Sequence, residues 1–230
     1  MSDDRWLEFW RRHGRESQAT DVQSQVLRTS NKVPISNEQW QLTLAEIDRR
    51  FPVGSEDDLL DLCCGNGLLT AHFAPVCRRV VALDISPDLL ATLAARGFQN
   101  VSTQCMDLRD ADFPEGMFSR ILIYAGLQYI DHAEAVVLLR KACRWLRPGG
   151  VLFAGDIPDR LRLWSFYNTP ERRKLYFDNL VAGRDVVGTW FDAHWLEYLS
   201  LSAGFASAER IDQHPNLIYA HFRFDLIARR

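Results

Sequence analysis

From residue 58 onward, short apolar runs alternate with stretches in which apolar residues recur every three or four positions. The runs have the length of buried strands, and the stretches have the period of helices that bury one face. Such alternation is typical of βαβ units, which build a parallel sheet covered by helices on both faces. The pattern predicts strands at 59–62, 79–84, 101–104, 120–124 and 151–155, separated by helices at 67–76, 87–96 and 133–146.

The first fifty residues predict a helical N-terminal extension. Residues 3–13 have an amphipathic helical pattern, whereas residues 14–35 are mostly polar and predict a lid-like segment with a helical turn near 22–27. Ser36 is a residue type preferred at a helix N-terminus, and it starts a helix that Phe51-Pro52 ends.

The rhythm of strands and helices breaks after residue 156. Residues 159–190 are rich in aromatic and basic side chains and predict a cap insert. A helix at 191–203 is followed by strands at 206–212 and 217–228, whose short connection suits an antiparallel hairpin. We therefore expect one domain over 1–230, composed of the extension (1–50), a core (58–158), the cap insert (159–190) and a C-terminal helix with hairpin (191–230).

Composition narrows the class of protein without identifying it. The 230 residues are 47% apolar and 25% charged, which is ordinary for a folded globular domain. A net charge of −3 does not indicate the positively charged surface that binds nucleic acid. No apolar run approaches the ~18 residues of a membrane span. The five cysteines lack the paired spacing of metal ligands and indicate free thiols in a reducing cytoplasm. The chain is compatible with a monomer or a homodimer.

The segment from Asp61 to Gly67 carries the strongest chemical signal. A strand ends in an acid, and glycines at 65 and 67 then turn the chain tightly into a helix. Glycines let a ligand approach the backbone, and a helix N-terminus offers unpaired N–H groups to it. Asp84 ends the second strand, seventeen residues after Gly67. A carboxylate in that position can accept both hydroxyl groups of a ribose.

These residues resemble the motifs of class I S-adenosylmethionine-dependent methyltransferases. The family's first motif is an acid followed by alternate glycines, and cysteine replaces its first glycine at Cys63. Residues 118–129 fit the fourth-strand motif, although Ser119 replaces a frequent aspartate, and 146–150 fit the turn before strand five. Because the motifs occur in the family's order, the resemblance covers roughly residues 40–228. It implies a Rossmann-like α/β sheet of seven strands, mostly parallel with a reversed terminal strand.

The resemblance also implies a cofactor and the residues that bind it. The cofactor would be S-adenosylmethionine, with S-adenosylhomocysteine as product. Asp84 corresponds to the ribose-binding acid, and residues 106–108 correspond to the segment that flanks adenine. The implied cofactor-binding residues are Asp61, Cys63, Gly65, Asn66, Gly67, Asp84, Ile85, Met106, Asp107, Leu108 and Tyr124.

The acceptor site is expected at the open ends of the parallel strands, where ligands of such sheets bind. The substrate-binding candidates are Arg28, Gln128, Arg160 and Tyr167. Oxygen and nitrogen acceptors lose a proton during transfer, so a nearby base is useful. The candidate bases are His132, Asp156 and His194, with His214 as a further histidine near the hairpin turn.

The acceptor itself is predicted to be a small molecule. The chain lacks the Asn-Pro-Pro-aromatic signature of methyltransferases that act on amides or exocyclic base amines. Its charge balance also argues against RNA. We therefore expect methylation of an oxygen of a sugar or secondary metabolite. Two alternatives stay open: a cofactor-binding partner subunit or sensor without transfer activity, and a nucleotide-dependent oxidoreductase, although Thr70 occupies the position of that fingerprint's third glycine.

Overall fold

A computed structural model describes residues 5–18, 20–30, 32–184 and 186–230. The strands along these residues are β1 (Thr29–Ser30), β2 (Val33–Pro34), β3 (Asp58–Leu62), β4 (Arg79–Asp84), β5 (Val101–Cys105), β6 (Phe118–Tyr124), β7 (Leu146–Pro158), β8 (Ser207–Asp212) and β9 (Arg223–Arg229). The α-helices are α1 (Arg5–Glu16), α2 (Asn37–Arg50), α3 (Leu68–Phe73), α4 (Pro87–Ala94), α5 (His132–Trp145), α6 (Leu163–Phe166), α7 (Pro170–Val181) and α8 (Ala193–Ser202). No helix in this described part is long and apolar enough to cross a membrane.

Seven of the strands form one sheet in the order β5-β4-β3-β6-β7-β9-β8. The five strands from β5 to β7 pair in parallel, whereas β9 runs antiparallel to both β7 and β8. Every residue of β3 is buried, as expected for a central strand covered on both faces. The predicted mostly parallel sheet with a reversed terminal strand is confirmed.

Two apolar clusters cover the two faces of the sheet. Leu60 and Leu62 point into the larger cluster, and Leu59 points into the other, because side chains alternate across a strand. Trp145 lies in the larger cluster and Phe51 in the smaller one, and both side chains are fully buried. The sheet is thus held between two packed layers, with its strand ends free to carry a site.

Among the differences from the sequence prediction, three change how the chain is arranged. The predicted strand at 217–228 was too long, since residues 217–222 form hydrogen-bonded turns and β9 begins at Arg223. The predicted turn at 147–150 is absorbed into β7, with a register shift opposite β6. The polar segment contains the short ribbon of β1 and β2, which the sequence pattern did not indicate.

Helix α1 is fixed against the start of α4. Gly14 lies so close to Ser86 that a Cβ atom added at Gly14 would overlap the Ser86 hydroxyl. The Gln18 side chain donates a 3.2 Å hydrogen bond to the carbonyl of Asp88. These contacts place the N-terminal extension beside the carboxyl end of β4.

Candidate active site

A cavity of about 660 Å³ opens at the carboxyl ends of β3, β4, β6 and β7. This volume lies in the range of small-molecule and cofactor sites. The strand ends and the turns after them line the cavity together with residues of the N-terminal extension. Trp6 and Trp10 of α1 pack against the ring of Tyr129, with ring centroids 5.0 and 5.5 Å apart.

The turn after β3 is made by a run of left-handed backbone conformations. Cys63, Gly65 and Gly67 have φ angles of 59°, 57° and 76°. Such angles cost little for glycine and more for residues with a Cβ atom. The left-handed backbone at position 63 therefore explains why glycine would be favoured there. In this chain a small residue, Cys63, adopts that conformation instead. Burial raises the pKa of the Cys63 thiol well above its ordinary value, so the thiol is neutral near pH 7.

Asp84 joins the glycine turn to the start of α4. Its Oδ2 accepts a 2.8 Å hydrogen bond from the backbone N–H of Gly65, and its Oδ1 accepts one of 2.9 Å from the N–H of Ser86. The residue is only 8% exposed, and burial raises its pKa above the ordinary value. This arrangement holds a carboxylate with further acceptor capacity at the cavity wall.

Asp107 is held by an arginine side chain and not, as Asp84 is, by the glycine turn. Its Oδ1 and Oδ2 each accept a 3.0 Å hydrogen bond from Nε of Arg109, whose Nη1 also lies 3.2 Å from Glu134. Burial pushes the pKa of Asp107 upward, but the hydrogen bonds and charge of Arg109 outweigh it and leave the pKa below the ordinary value. Met106 and Leu108 line the cavity on either side of this ionised carboxylate.

Asp61 is buried behind the glycine turn and accepts a 2.6 Å hydrogen bond from the Thr70 hydroxyl. Burial raises its pKa from 3.8 to about 7, against the lowering effect of that hydrogen bond. Between these two pH values the unfolded chain releases the proton and the folded chain retains it. The contribution of Asp61 to the free energy of unfolding is therefore greatest below pH 4 and falls as the pH rises towards 7.

Replacement of Asp61 by asparagine is expected to remove this dependence. The amide oxygen can still accept the Thr70 hydroxyl, and it carries no charge that burial penalises. The Tm of Asp61→Asn minus that of the parent protein should increase between about pH 4.5 and about pH 7.5, measured by thermal unfolding without ligand. Asp110 is exposed, and Asp110→Asn serves as the control with a constant difference. A flat or falling difference for Asp61→Asn would contradict the raised pKa.

The N-terminal segment is attached directly to the glycine turn. The Asn66 side chain donates 2.8 Å hydrogen bonds to the carbonyl oxygen of Val22 and to Oε1 of Gln25. Val26 lies against Gly65, where an added Cβ atom would come within 2.8 Å of its side chain. Residues 22–26 therefore cover the turn that the sequence identifies as the ligand cradle.

Arg28 lies on the other side of the cavity, between two aromatic rings. Its guanidinium carbon is 4.6 Å from the ring centre of Tyr124 and 5.3 Å from that of Trp40. The side chain is 11% exposed, and its Nη2 lies 3.7 Å from Oδ2 of Asp156. The Arg28 Nη2 atom is buried and has no hydrogen-bond partner within the described residues.

Asp156 is the acid on this side of the cavity. Its backbone has a φ of 61°, which is uncommon for a residue with a side chain. The buried carboxylate accepts a 3.2 Å hydrogen bond from Gln213 and lies 3.6 Å from Nη1 of Arg223. Its backbone N–H donates a 2.7 Å hydrogen bond to Oδ1 of Asp225.

The cavity gathers most of the residues that the sequence singled out. Those in its lining are Arg28, Asp61, Cys63, Gly65, Asn66, Asp84, Ile85, Met106, Asp107, Leu108, Tyr124, Gln128 and Asp156. Gly67 lies just outside, as the N-terminal cap of α3.

The remaining candidates lie away from the lining. His132 packs between the rings of Phe191 and Trp195, and burial together with the Arg160 charge lowers its pKa. His194, in the first turn of α8, and Arg160 are both exposed. Tyr167 is buried among aromatic rings of the cap insert. His214 accepts a hydrogen bond from the N–H of Asn216 in the turn after β8. The proposed roles of these side chains stay predictions.

Sequence reasoning missed Arg223, which lines the cavity from the start of β9. Its Nη1 donates a 2.7 Å hydrogen bond to Oε1 of Gln128 and another to the carbonyl oxygen of Asp156. A signal was present, because Arg223 and Asp225 are charged residues inside an otherwise apolar strand. Charged side chains in such a strand are rarely buried unless they are paired or functional.

Comparison with known proteins shows that this chain is similar to methyltransferases. A family described as "Methyltransferase domain" matches residues 59–150. An uncharacterized methyltransferase of Schizosaccharomyces pombe is 36% identical over 108 residues, covering 46% of this chain and 42% of that protein. The ubiquinone biosynthesis O-methyltransferase of Xanthomonas oryzae pv. oryzae is 29% identical over 103 residues, covering 43% of this chain and 42% of that protein.

A structural neighbour extends the likeness to almost the whole chain. The structure of DhpI in complex with SAM and HEP superposes with a TM-score of 0.68, covering 98% of this chain and 96% of that one at 19% identity. Identity at that level supports a common fold. The two curated relatives, by contrast, are each matched over less than half of their own length.

Proposed function

We propose that this chain, a class I S-adenosylmethionine-dependent methyltransferase by fold and by its match to the methyltransferase-domain family, transfers a methyl group to an oxygen of a small molecule. The observation that carries the proposal is the two-sided cavity. One half is formed by the glycine turn and the acids at the ends of β3, β4 and β5, and the other by the acceptor-side residues Arg28, Tyr124, Gln128 and Asp156.

The first half fits S-adenosylmethionine in several respects. Asp84 presents a buried carboxylate suited to the two ribose hydroxyls, while Asp107 presents a partly exposed carboxylate suited to an exocyclic amine. Oδ1 of Asn66 is buried without a hydrogen-bond partner in the described part of the chain. Such an oxygen is available to an amino group of the ligand. The raised pKa of Cys63 leaves no reactive thiolate beside the cofactor.

Bound S-adenosylmethionine supplies an electrophilic methyl group on a positively charged sulfur. The protein residues then have two tasks: they hold the acceptor oxygen in line with that group, and they exclude bulk water. Tyr124 and Tyr129, together with Trp6 and Trp10 above them, provide the apolar walls for the second task. Asp156 is the carboxylate that we assign to accept the proton of a hydroxyl acceptor.

The name of the Xanthomonas relative supports an oxygen acceptor, since that protein is an O-methyltransferase of ubiquinone biosynthesis. The apolar and aromatic lining of the cavity is also suited to a small organic molecule. A sugar or secondary metabolite is the acceptor class that we propose.

The test is to incubate the purified chain with S-adenosylmethionine and a panel of hydroxylated sugars, phenols and hydroxy acids. Release of S-adenosylhomocysteine with at least one acceptor, above the rate without acceptor, is expected. Calorimetric binding of S-adenosylhomocysteine without turnover on any acceptor would instead favour the partner subunit or sensor. Binding of a nicotinamide nucleotide in place of S-adenosylhomocysteine would favour the oxidoreductase and overturn the proposal.

A further inference from the structure

Two buried arginines converge on one carboxylate oxygen in the acceptor half of the cavity. Nη2 of Arg28 lies 3.7 Å from Oδ2 of Asp156, and Nη1 of Arg223 lies 3.6 Å from the same oxygen. Their side chains are 11% and 9% exposed. Both separations exceed the usual hydrogen-bond distance, so Asp156 neutralises charge without saturating the donors.

Each arginine of this pair keeps at least one hydrogen-bond donor unused. Nη2 of Arg28 and Nε of Arg223 are buried and have no hydrogen-bond partner among the described residues. Each guanidinium carries five N–H donors, and leaving buried donors unpaired is unfavourable. A buried arginine of this kind is expected to meet its partners in a ligand.

Aromatic rings flank both guanidinium groups of the pair. Arg28 lies between the rings of Trp40 and Tyr124, and Arg223 lies 5.1 Å from the ring centre of Phe222 and 5.4 Å from that of Tyr219. Stacking on aromatic faces fixes the plane of a guanidinium and orients its donors before a ligand arrives. The pair therefore has the features of a preorganised anion receptor.

The charge balance favours a singly charged guest. Asp225 is the other acid in the cluster, and its Oδ1 already accepts the N–H of Asp156 and a 2.9 Å hydrogen bond from Gln213. With both acids ionised, the charges of the two arginines and the two acids sum to zero. Burial raises the pKa of Asp225 to about 6, so its protonation near that pH leaves one positive charge for a guest. A planar carboxylate matches the fork of donors on a guanidinium.

We propose that Arg28 and Arg223 bind a carboxylate of the acceptor, so that the substrate is a small hydroxylated acid. This inference rests on the proposed function and adds the substrate class to it. Arg223, which reaches the acceptor from the last strand, is then the residue that determines specificity. Gln128 holds the Arg223 side chain in position.

The experiment compares three probes by calorimetry on the full chain saturated with S-adenosylhomocysteine. The probes are benzoate, its uncharged analogue benzamide and phenyl phosphate. Benzoate is expected to bind at least about tenfold more tightly than benzamide, and Arg223→Gln should abolish that preference. Arg229→Gln, on the exposed end of the same strand, should leave the preference unchanged.

A carboxylate could also come from the amino-acid end of the cofactor. Binding of two nucleosides to Arg223→Gln distinguishes this source from the acceptor. S-adenosylhomocysteine carries that carboxylate, whereas 5′-methylthioadenosine lacks it. We expect Arg223→Gln to bind both nucleosides within about twofold of the parent protein. Selective weakening of S-adenosylhomocysteine would assign the pair to the cofactor and overturn the proposal.

The outcome does not depend on the stability of one variant. The comparison of benzoate with benzamide is made first on the parent protein, and Arg223→Lys retains the charge if the glutamine variant fails to fold. Benzoate binding no tighter than benzamide, including undetectable binding of both, would overturn the inference. Tighter binding of phenyl phosphate than benzoate would also overturn it, in favour of a phosphorylated acceptor. Intact S-adenosylhomocysteine binding in each case would leave the proposed function standing.

Discussion

Asp84→Ala is expected to weaken S-adenosylhomocysteine binding by at least about 100-fold. The substitution removes a charged acceptor for two ribose hydroxyls, and hydrogen bonds to charged groups contribute about 1.5–3 kcal/mol each. It also removes the acceptor for the N–H groups of Gly65 and Ser86, which order the glycine turn and the start of α4. Isothermal titration calorimetry of the purified variant measures the loss.

The control for this experiment is Asp110→Ala. Asp110 is an exposed acid in the loop after β5, so its removal changes the net charge equally without touching the turn. The affinity of Asp110→Ala for S-adenosylhomocysteine should remain within about twofold of that of the parent protein. Unchanged affinity in Asp84→Ala, with normal unfolding behaviour, would remove Asp84 from the cofactor site and with it the main support for the ribose assignment.

Gly188→Ala is expected to destabilise the fold by about 3 kcal/mol or more. Gly188 has a φ of 100°, and an added Cβ atom would overlap the carbonyl oxygen of Gln128. That oxygen belongs to the backbone and accepts a 2.8 Å hydrogen bond from the N–H of Thr189, so it cannot move aside cheaply. Urea unfolding followed by circular dichroism measures the change.

Gly183→Ala separates backbone strain from steric overlap. Gly183 also has a positive φ, of 62°, but no atom of the described residues lies within 4 Å of an added Cβ atom there. Only the conformational cost of about 1–2 kcal/mol should appear in this control. Equal losses in the two variants would show that the contact between Gly188 and Gln128 does not anchor the cap insert.

Much of the fold was predictable because its signals are local. Strand β4 was predicted with its observed bounds, since a continuous run of apolar residues bounded by charged ones fits a buried parallel strand. The start of α2 was also predictable, because the Ser36 hydroxyl accepts a hydrogen bond from the N–H of Gln39 and satisfies a donor at the helix end. The glycine turn was also recognisable from local sequence, because positive φ angles favour glycine at positions 65 and 67.

The acceptor half of the cavity was less predictable, because long-range contacts define it. Arg223 meets Gln128 across 95 residues of chain, and the Tyr219 hydroxyl donates a 2.6 Å hydrogen bond to the carbonyl of Thr29 across 190. No spacing rule connects such positions. The sequence indicated candidate roles for Arg28 and Asp156, but only the folded chain brings Arg28 and Arg223 to the same carboxylate oxygen of Asp156.

The hydrogen bonds from Asn66 to residues 22 and 25 have a kinetic consequence. The glycine turn is overlain by residues 22–26 of the chain's own N-terminal segment, so we expect these residues to lie between solvent and a nucleoside bound at the turn. We expect the nucleoside to leave more slowly than it would from an uncovered turn. Contacts with residues more than forty positions away in sequence would then set how long the nucleoside stays bound. Release of the nucleoside product would in turn limit the turnover rate.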